Sequence, residues 1–160
     1  MQEPEKGYPK RLHHEVPHWV HDGAQFHIRL RTEAESSPPL IEPSLATELI
    51  SAAQYYHEQR RWFCRLFLLM PDHIHAIISF PPNAGMSPII GEWKRYTARS
   101  LGIRWQSNYF DHRLRDESEA TKTYAYILQN PVASELCARD TNWHWQWRSE
   151  DSFVWNSPPK

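Results

Sequence analysis

At 160 residues, with 40% hydrophobic and 13% aromatic residues, the chain has the size and composition of one globular domain rather than a disordered or fibrous segment. A formal net charge of −1 argues against a uniformly basic surface, so any nucleic-acid reading has to rest on how charge is distributed. Two cysteines, Cys64 and Cys137, make a disulfide framework unexpected, and no apolar run approaches the ~18 residues of a membrane span; with a charged, proline-bearing Met1–His21, these features fit a reducing, cytoplasmic setting.

Residues 1–22 carry Pro4, Pro9, Pro17 and four histidines, and are expected to be a loosely ordered arm. From Gln25 to Thr32, Phe26, Ile28 and Leu30 alternate with polar residues and predict a first strand. Ser36 to Pro39 reads as a loop. Ser44 is the expected cap of a helix reaching about Gln59, with Leu45, Leu49, Ala52, Ala53 and Tyr56 as its apolar stripe. Two aromatic and aliphatic runs, 62–70 and 73–80, predict a pair of strands separated by a Pro71-Asp72 turn. Pro81 to Gly85 breaks the chain. Ser87 to about Leu101 predicts a second helix, and Asn108 to Leu114 a fourth strand. A third helix, 117–130, has a capping-box start in Asp116 and Glu119 and an expected end at Asn130, because a residue before proline is pushed out of the α region. The order β-α-β-β-α-β plus a helix is the signature of an α+β, ferredoxin-like split βαβ sandwich. That fold has a four-stranded antiparallel sheet with helices on one face, here followed by a C-terminal helix, and leaves its other face open to a ligand.

Two places on this frame carry chemistry. In Leu69-Met70-Pro71-Asp72-His73-Ile74-His75, the two histidines share one strand face, about 6.6 Å apart along the strand, while Ile74, Ala76, Ile78 and Phe80 form an apolar opposite face. A chain with 10 histidines makes His-x-His alone a weak signal. Its position at the start of a strand, just after a bend, suits a site, and neutral imidazole is a common metal ligand. On the third helix, Ala120, Tyr124, Ile127 and Leu128 form the core stripe. Tyr126 lies about 145° from the centre of that stripe at 100° per residue, and Asn130 sits one turn further on the same side. Charge is asymmetric. Six cations against one acid lie between Lys94 and Arg115, whereas Glu33, Glu35, Glu42, Glu48 and Glu58 cluster around the first helix, which predicts one basic and one acidic face.

Three segments taken in order, Met70-Pro71-Asp72-His73-Ile74-His75, then Trp105-Gln106-x-x-Tyr109-Phe110-Asp111-His112-x-x-Arg115-Asp116, then Tyr126-Ile127-x-x-Asn130-Pro131-Val132, resemble the REP-associated tyrosine transposases. These are an insertion-sequence-200-like branch of the HUH single-strand nucleases, and the trailing Trp143-x-Trp145 is similar too. The resemblance implies an HUH catalytic domain over 23–147, between the arm at 1–22 and a tail at 148–160. It implies that His73, His75 and Asn130 bind a divalent metal, Mg²⁺ or Mn²⁺, and that Tyr126 attacks single-stranded DNA at palindromic hairpin repeats. Cleavage would leave a 5′-phosphotyrosine and a free 3′-hydroxyl that can rejoin strands. Mixed N/O ligation favours Mn²⁺ on ligand type. Asp72 and His112 are candidates to orient the metal ligands.

Lys94, Arg95, Arg99, Arg113 and Arg115 are the candidate phosphate contacts. Trp93, Trp105 and Tyr109 could stack bases, with at least two of the three expected in the core. The chain departs from these relatives in being more acidic, in having Arg113 where an aliphatic residue is usual, and in reading Ala133-Ser134-Glu135-Leu136 after Val132. A DNA-binding regulator without turnover is the alternative. A histidine-triad nucleotide hydrolase needs a third alternating histidine, and position 77 is Ile. The expected setting is the bacterial cytoplasm and its nucleoid, as a monomer or homodimer, with no membrane partner.

Overall fold

The alternating segments assemble into a five-stranded antiparallel sheet in the computed structural model, which describes residues 16–33, 37–139, 143–150, 153–156 and 158. The order is α1 (His18–Asp22), β1 (Phe26–Arg31), α2 (Pro43–Glu58), β2 (Phe63–Leu69), β3 (His73–Ser79), α3 (Met86–Leu101), β4 (Phe110–Arg113), α4 (Glu117–Ala133) and β5 (Gln146–Arg148). Across the sheet the strands run β4-β1-β3-β2-β5, so the first four take the ferredoxin-like arrangement with β3 central.

The sheet has one strand more than the four expected. In a four-stranded sheet β2 would be an edge with unpaired backbone groups, and β5 covers it. The Leu69 N–H donates to Trp145 O at 2.8 Å, and the Trp143 indole donates to Leu69 O at 2.9 Å. At three residues, β5 is too short to show a period in the sequence.

Each face of the sheet has its own core. Ile28, Leu30, Phe67, Leu69, Ile74, Ala76 and Ile78 point to the layer of α2 and α3, where they meet Leu49, Ala53, Ile90 and Trp93. Leu66, Leu68 and Ile77 point the other way and meet Ala120 and Ile127 of α4, with Trp143 and Trp155. The second face is therefore partly roofed by α4 and the C-terminal tryptophans, where an open face was expected. β4 stays exposed along its whole length.

Local chemistry explains the helix ends. Glu42, not Ser44, caps α2. Its carboxylate accepts from Leu45 N–H at 2.9 Å and from the Ser44 hydroxyl, and Pro43 takes the first helical position, where its missing N–H costs nothing. α3 stops at Gly102, whose φ of 73° is the left-handed conformation glycine tolerates. α4 begins as expected, with the Asp116 carboxylate accepting from Glu119 N–H at 2.9 Å. It does not end at Asn130: Pro131 is inside the helix and buried, and the helix runs to Ala133. So close to the end, proline forfeits a single backbone hydrogen bond, and Ser134 and Leu136 N–H groups close the carbonyls of Asn130 and Pro131.

Within the expected arm, residues 1–15 lie outside the described residues and His18–Asp22 is helical, with Val20 fully buried. The Trp155 indole donates to Gly23 O, and Asn156 N–H to His21 O, both at 2.7 Å, so the segment after α1 is tied to residues 155–156. Cys64 and Cys137 are free. Among the described residues no helix is long and apolar enough to cross a membrane.

Candidate active site

Register brings the site together. β3 pairs with β1 so that His73 lies opposite Arg31 and His75 opposite Arg29. Side chains alternate, so His73, His75 and Ile77 share the second face with His27, Arg29 and Arg31. α4 crosses that face on Ala120 and Ile127, which directs Tyr126 toward the histidines. The Tyr126 ring stands edge-on to the His75 ring, centroids 6.1 Å apart, and is 58% exposed. Asn130 follows one turn later and is half-buried.

Both histidines are held by their Nδ1 atoms. His73 Nδ1 is 2.7 Å from Asp72 Oδ1, and His75 Nδ1 is 3.0 Å from His27 Nε2. The His73 and His75 rings are perpendicular, with centroids 4.9 Å apart. The His73 hydrogen bond first, and the charges of His73 and Arg31 after it, hold the Asp72 carboxyl below its ordinary pKa. Burial is the main reason the imidazoles are pushed down, His75 to about 3 and His27 to about 4. His73 is lowered by burial too, against the opposing pull of Asp72. The donor types are ones a divalent cation takes: two imidazoles held in the unprotonated form, and a carboxamide on the adjacent helix.

The depressed values carry a stability consequence. Unfolded imidazoles take up protons near pH 6.5, whereas His27 and His75 resist until about pH 4 and 3. Between those limits the unfolded state binds more protons, so stability is full above pH 6.5 and declines as pH falls. At its steepest each group removes ~1.4 kcal/mol per pH unit. Going from pH 7 to 5 in EDTA should cost about 2–4 kcal/mol, a fall in Tm of roughly 5–15 °C, and His27→Gln with His75→Gln should flatten the profile. A wild-type Tm that is level over this range contradicts the assignment.

Beside Tyr126 lies an open cleft of about 500 Å³ lined by His27, Arg115, Asp116, Ser118, Glu119, Lys122 and Thr123. Glu119 organises this end of α4. It accepts from Arg115 N–H at 2.7 Å and bonds His112 Nε2 at 2.7 Å, and the Arg115 N–H first, then His112, hold its carboxyl down at about 2. His112 thus braces β4 to the tyrosine helix, while Asp72 is the group that touches a site imidazole.

The expected basic cluster divides. Arg115 lines the tyrosine cleft, whereas Arg113 lines a separate pocket with Leu114, Arg115 and Pro158. Lys94, Arg95 and Arg99 are on α3, against the opposite face of the sheet. Lys94 Nζ donates to the carbonyls of Gln106 and Ser107 at 2.8 and 3.3 Å, and burial lowers its pKa. Trp93 and Trp105 are core residues, and Tyr109 is half-buried under Lys94. Sequence reasoning missed His27, Arg29, Arg31, Phe110 and Lys122. The polar half of the β1 alternation was the available signal, but only the register with β3 shows what it faces. Phe110 is 40% exposed on β4, edge-on to His27, with the Arg29 guanidinium 4.8 Å over its ring.

An uncharacterized protein of Haemophilus influenzae is 30% identical, over 43% of this chain and 54% of that protein, so the chain spans about half the length of this curated relative. The structure of a REP-associated tyrosine transposase bound to a REP hairpin superposes with a TM-score of 0.67 at 19% identity, covering 82% of this chain and 81% of that one, which shows a shared fold. Residues 22–130 match the family model described as "Transposase IS200 like". That span holds β1, both histidines, Tyr126 and Asn130, and the chain belongs to the IS200-like transposase family.

Proposed function

We propose that this chain is a metal-dependent, single-tyrosine transposase that cleaves and rejoins single-stranded DNA at hairpin sites through a 5′-phosphotyrosine intermediate. The observation that carries the reading is the exposed Tyr126 ring, 6.1 Å from the His75 ring of the same chain. An accessible phenol beside paired, unprotonated imidazoles is what covalent attack on a phosphodiester needs. Tyr126 faces His75 of its own chain, so attack in cis would need no second subunit.

His73, His75 and Asn130 would hold Mg²⁺ or Mn²⁺, and the bound ion would offset charge on the nonbridging phosphate oxygens. The chain's own groups do the rest. Arg115 and Lys122 give the cleft beside Tyr126 two cations for the flanking backbone, and Arg29 adds a third near His75. The phenol becomes an effective nucleophile as its proton leaves for solvent. Tyr126 Oη bonds to phosphorus, and the bond to the 3′ bridging oxygen breaks. The departing 3′ oxygen takes up a proton. Rejoining reverses these bonds, with phenolate as leaving group.

Phe110 supplies an exposed aromatic face on the uncovered strand next to the histidines. Base stacking on such a ring contributes ~1–3 kcal/mol, so Phe110→Ala should weaken single-strand binding by about 5- to 150-fold in a fluorescence-anisotropy titration. Unchanged affinity would remove Phe110 from the strand path.

The enzyme reading is tested by incubating the protein with Mn²⁺ and a labelled hairpin bearing single-stranded flanks. A denaturation-resistant protein–DNA adduct supports it. A gel shift with no adduct would support a DNA-binding regulator on the same fold.

A further inference from the structure

The two site histidines are held alike by unlike neighbours. An ionised carboxylate only accepts, so His73 donates its Nδ1–H to Asp72 and keeps a lone pair on Nε2. His75 has no carboxylate at its Nδ1. The Nε2 of a third imidazole, His27, stands there at 3.0 Å. Two imidazoles at that distance share one proton, and the choice of owner has a chemical consequence. If His75 Nδ1 carries it, His75 Nε2 is a lone pair. If His27 Nε2 carries it, His75 must hold its own hydrogen on Nε2, and that nitrogen cannot bind a cation.

We propose that His27 is a positioning residue that accepts the Nδ1–H of His75 and thereby fixes His75 Nε2 as the cation-facing nitrogen. The inference rests on the reading that His73 and His75 hold a divalent ion. His27 is built to stay in place. It is 9% exposed, its ring lies edge to edge with His75, centroids 5.2 Å apart and planes 29° from parallel, and Phe110 closes on it edge-on at 5.4 Å. It reaches His75 from the neighbouring strand, where it lies opposite Ile77, one step along the same face. Its Nε2 is already used on His75, so it is not a further metal ligand through that atom. The pair of neighbours, Asp72 from the turn and His27 from β1, orients both imidazoles the same way, as outer groups commonly do around metal-binding histidines.

The test uses ¹⁵N-histidine-labelled protein in EDTA. A long-range ¹H–¹⁵N correlation spectrum, assigned by the peaks lost in His75→Gln, should show His75 as the Nδ1–H tautomer. His27→Gln offers an amide oxygen in place of Nε2, and should keep both that tautomer and the Mn²⁺ affinity. His27→Leu offers no acceptor and should weaken Mn²⁺ binding by about 10- to 100-fold in calorimetry. An Nε2–H tautomer for His75 in the wild type overturns the proposal, as does a folded His27→Leu protein with wild-type Mn²⁺ affinity. If His27→Leu does not fold, the tautomers of the wild type and of His27→Gln decide the question. If the wild type binds no Mn²⁺, the metal-dependent reading fails, and the tautomer in EDTA still decides the role of His27.

Discussion

Tyr126→Phe is expected to abolish covalent attachment to DNA, by at least about a thousandfold, the scale on which loss of a covalent nucleophile is felt. Metal and DNA binding should stay near wild type, because the substitution removes one exposed oxygen and no packing contact. The selectivity of the test comes from the other tyrosines. Tyr55 and Tyr96 are exposed, but they sit on α2 and α3, against the opposite face of the sheet. Tyr56 is core, and Tyr124 is half-buried beneath the Arg65 guanidinium. Tyr109 is half-buried under Lys94. Among the described residues only Tyr126 presents an accessible phenol next to the imidazole pair. A Tyr126→Phe protein that still forms the adduct would place the nucleophile elsewhere.

His75→Ala is the second large effect. His75 is 2% exposed, is one of the two imidazoles assigned to the cation under the proposed function, and is the partner of His27. Its removal should lower Mn²⁺ affinity by more than the about 10- to 100-fold that loss of an outer orienting group produces. It also leaves His27 Nε2 buried without its partner, at a cost of about 1–3 kcal/mol. His73→Ala should lose Mn²⁺ to a similar degree with less damage to stability, since its partner Asp72 is well exposed and returns to water. Calorimetric titration with Mn²⁺ and thermal unfolding of both variants check the pair. Near wild-type Mn²⁺ affinity in either variant would contradict the ligand assignment.

Alternation and capping made most of the frame legible. Strands β1 to β4 lie within the four segments read as strands, β1 and β3 from their alternation, and α4 starts at the Asp116 cap. What the sequence could not show was set by partners far along the chain. β5 exists because the β2 edge needs covering, and nothing in three residues announces that. Pro131 was read by its local bias, yet so near the helix end tertiary packing outweighs one lost hydrogen bond. The site was half visible. His73, His75, Tyr126 and Asn130 could be placed on faces from their own elements, and Asp72 from its adjacency. His27 and Arg29 acquire meaning only through the pairing of residues 26–31 with 73–78. Lys94, Arg95 and Arg99 were grouped with Arg113 and Arg115 by proximity in sequence, but α3 and β4 belong to different layers.

Anomalous scattering from a Mn²⁺-soaked crystal tests the central claim most directly. The account predicts one strong peak within bonding distance of Nε2 on both His73 and His75, with Tyr126 and Asn130 on the side of the ion nearer α4. A peak elsewhere, such as at the His112–Glu119 pair, with the His73–His75 pair left empty, would contradict it.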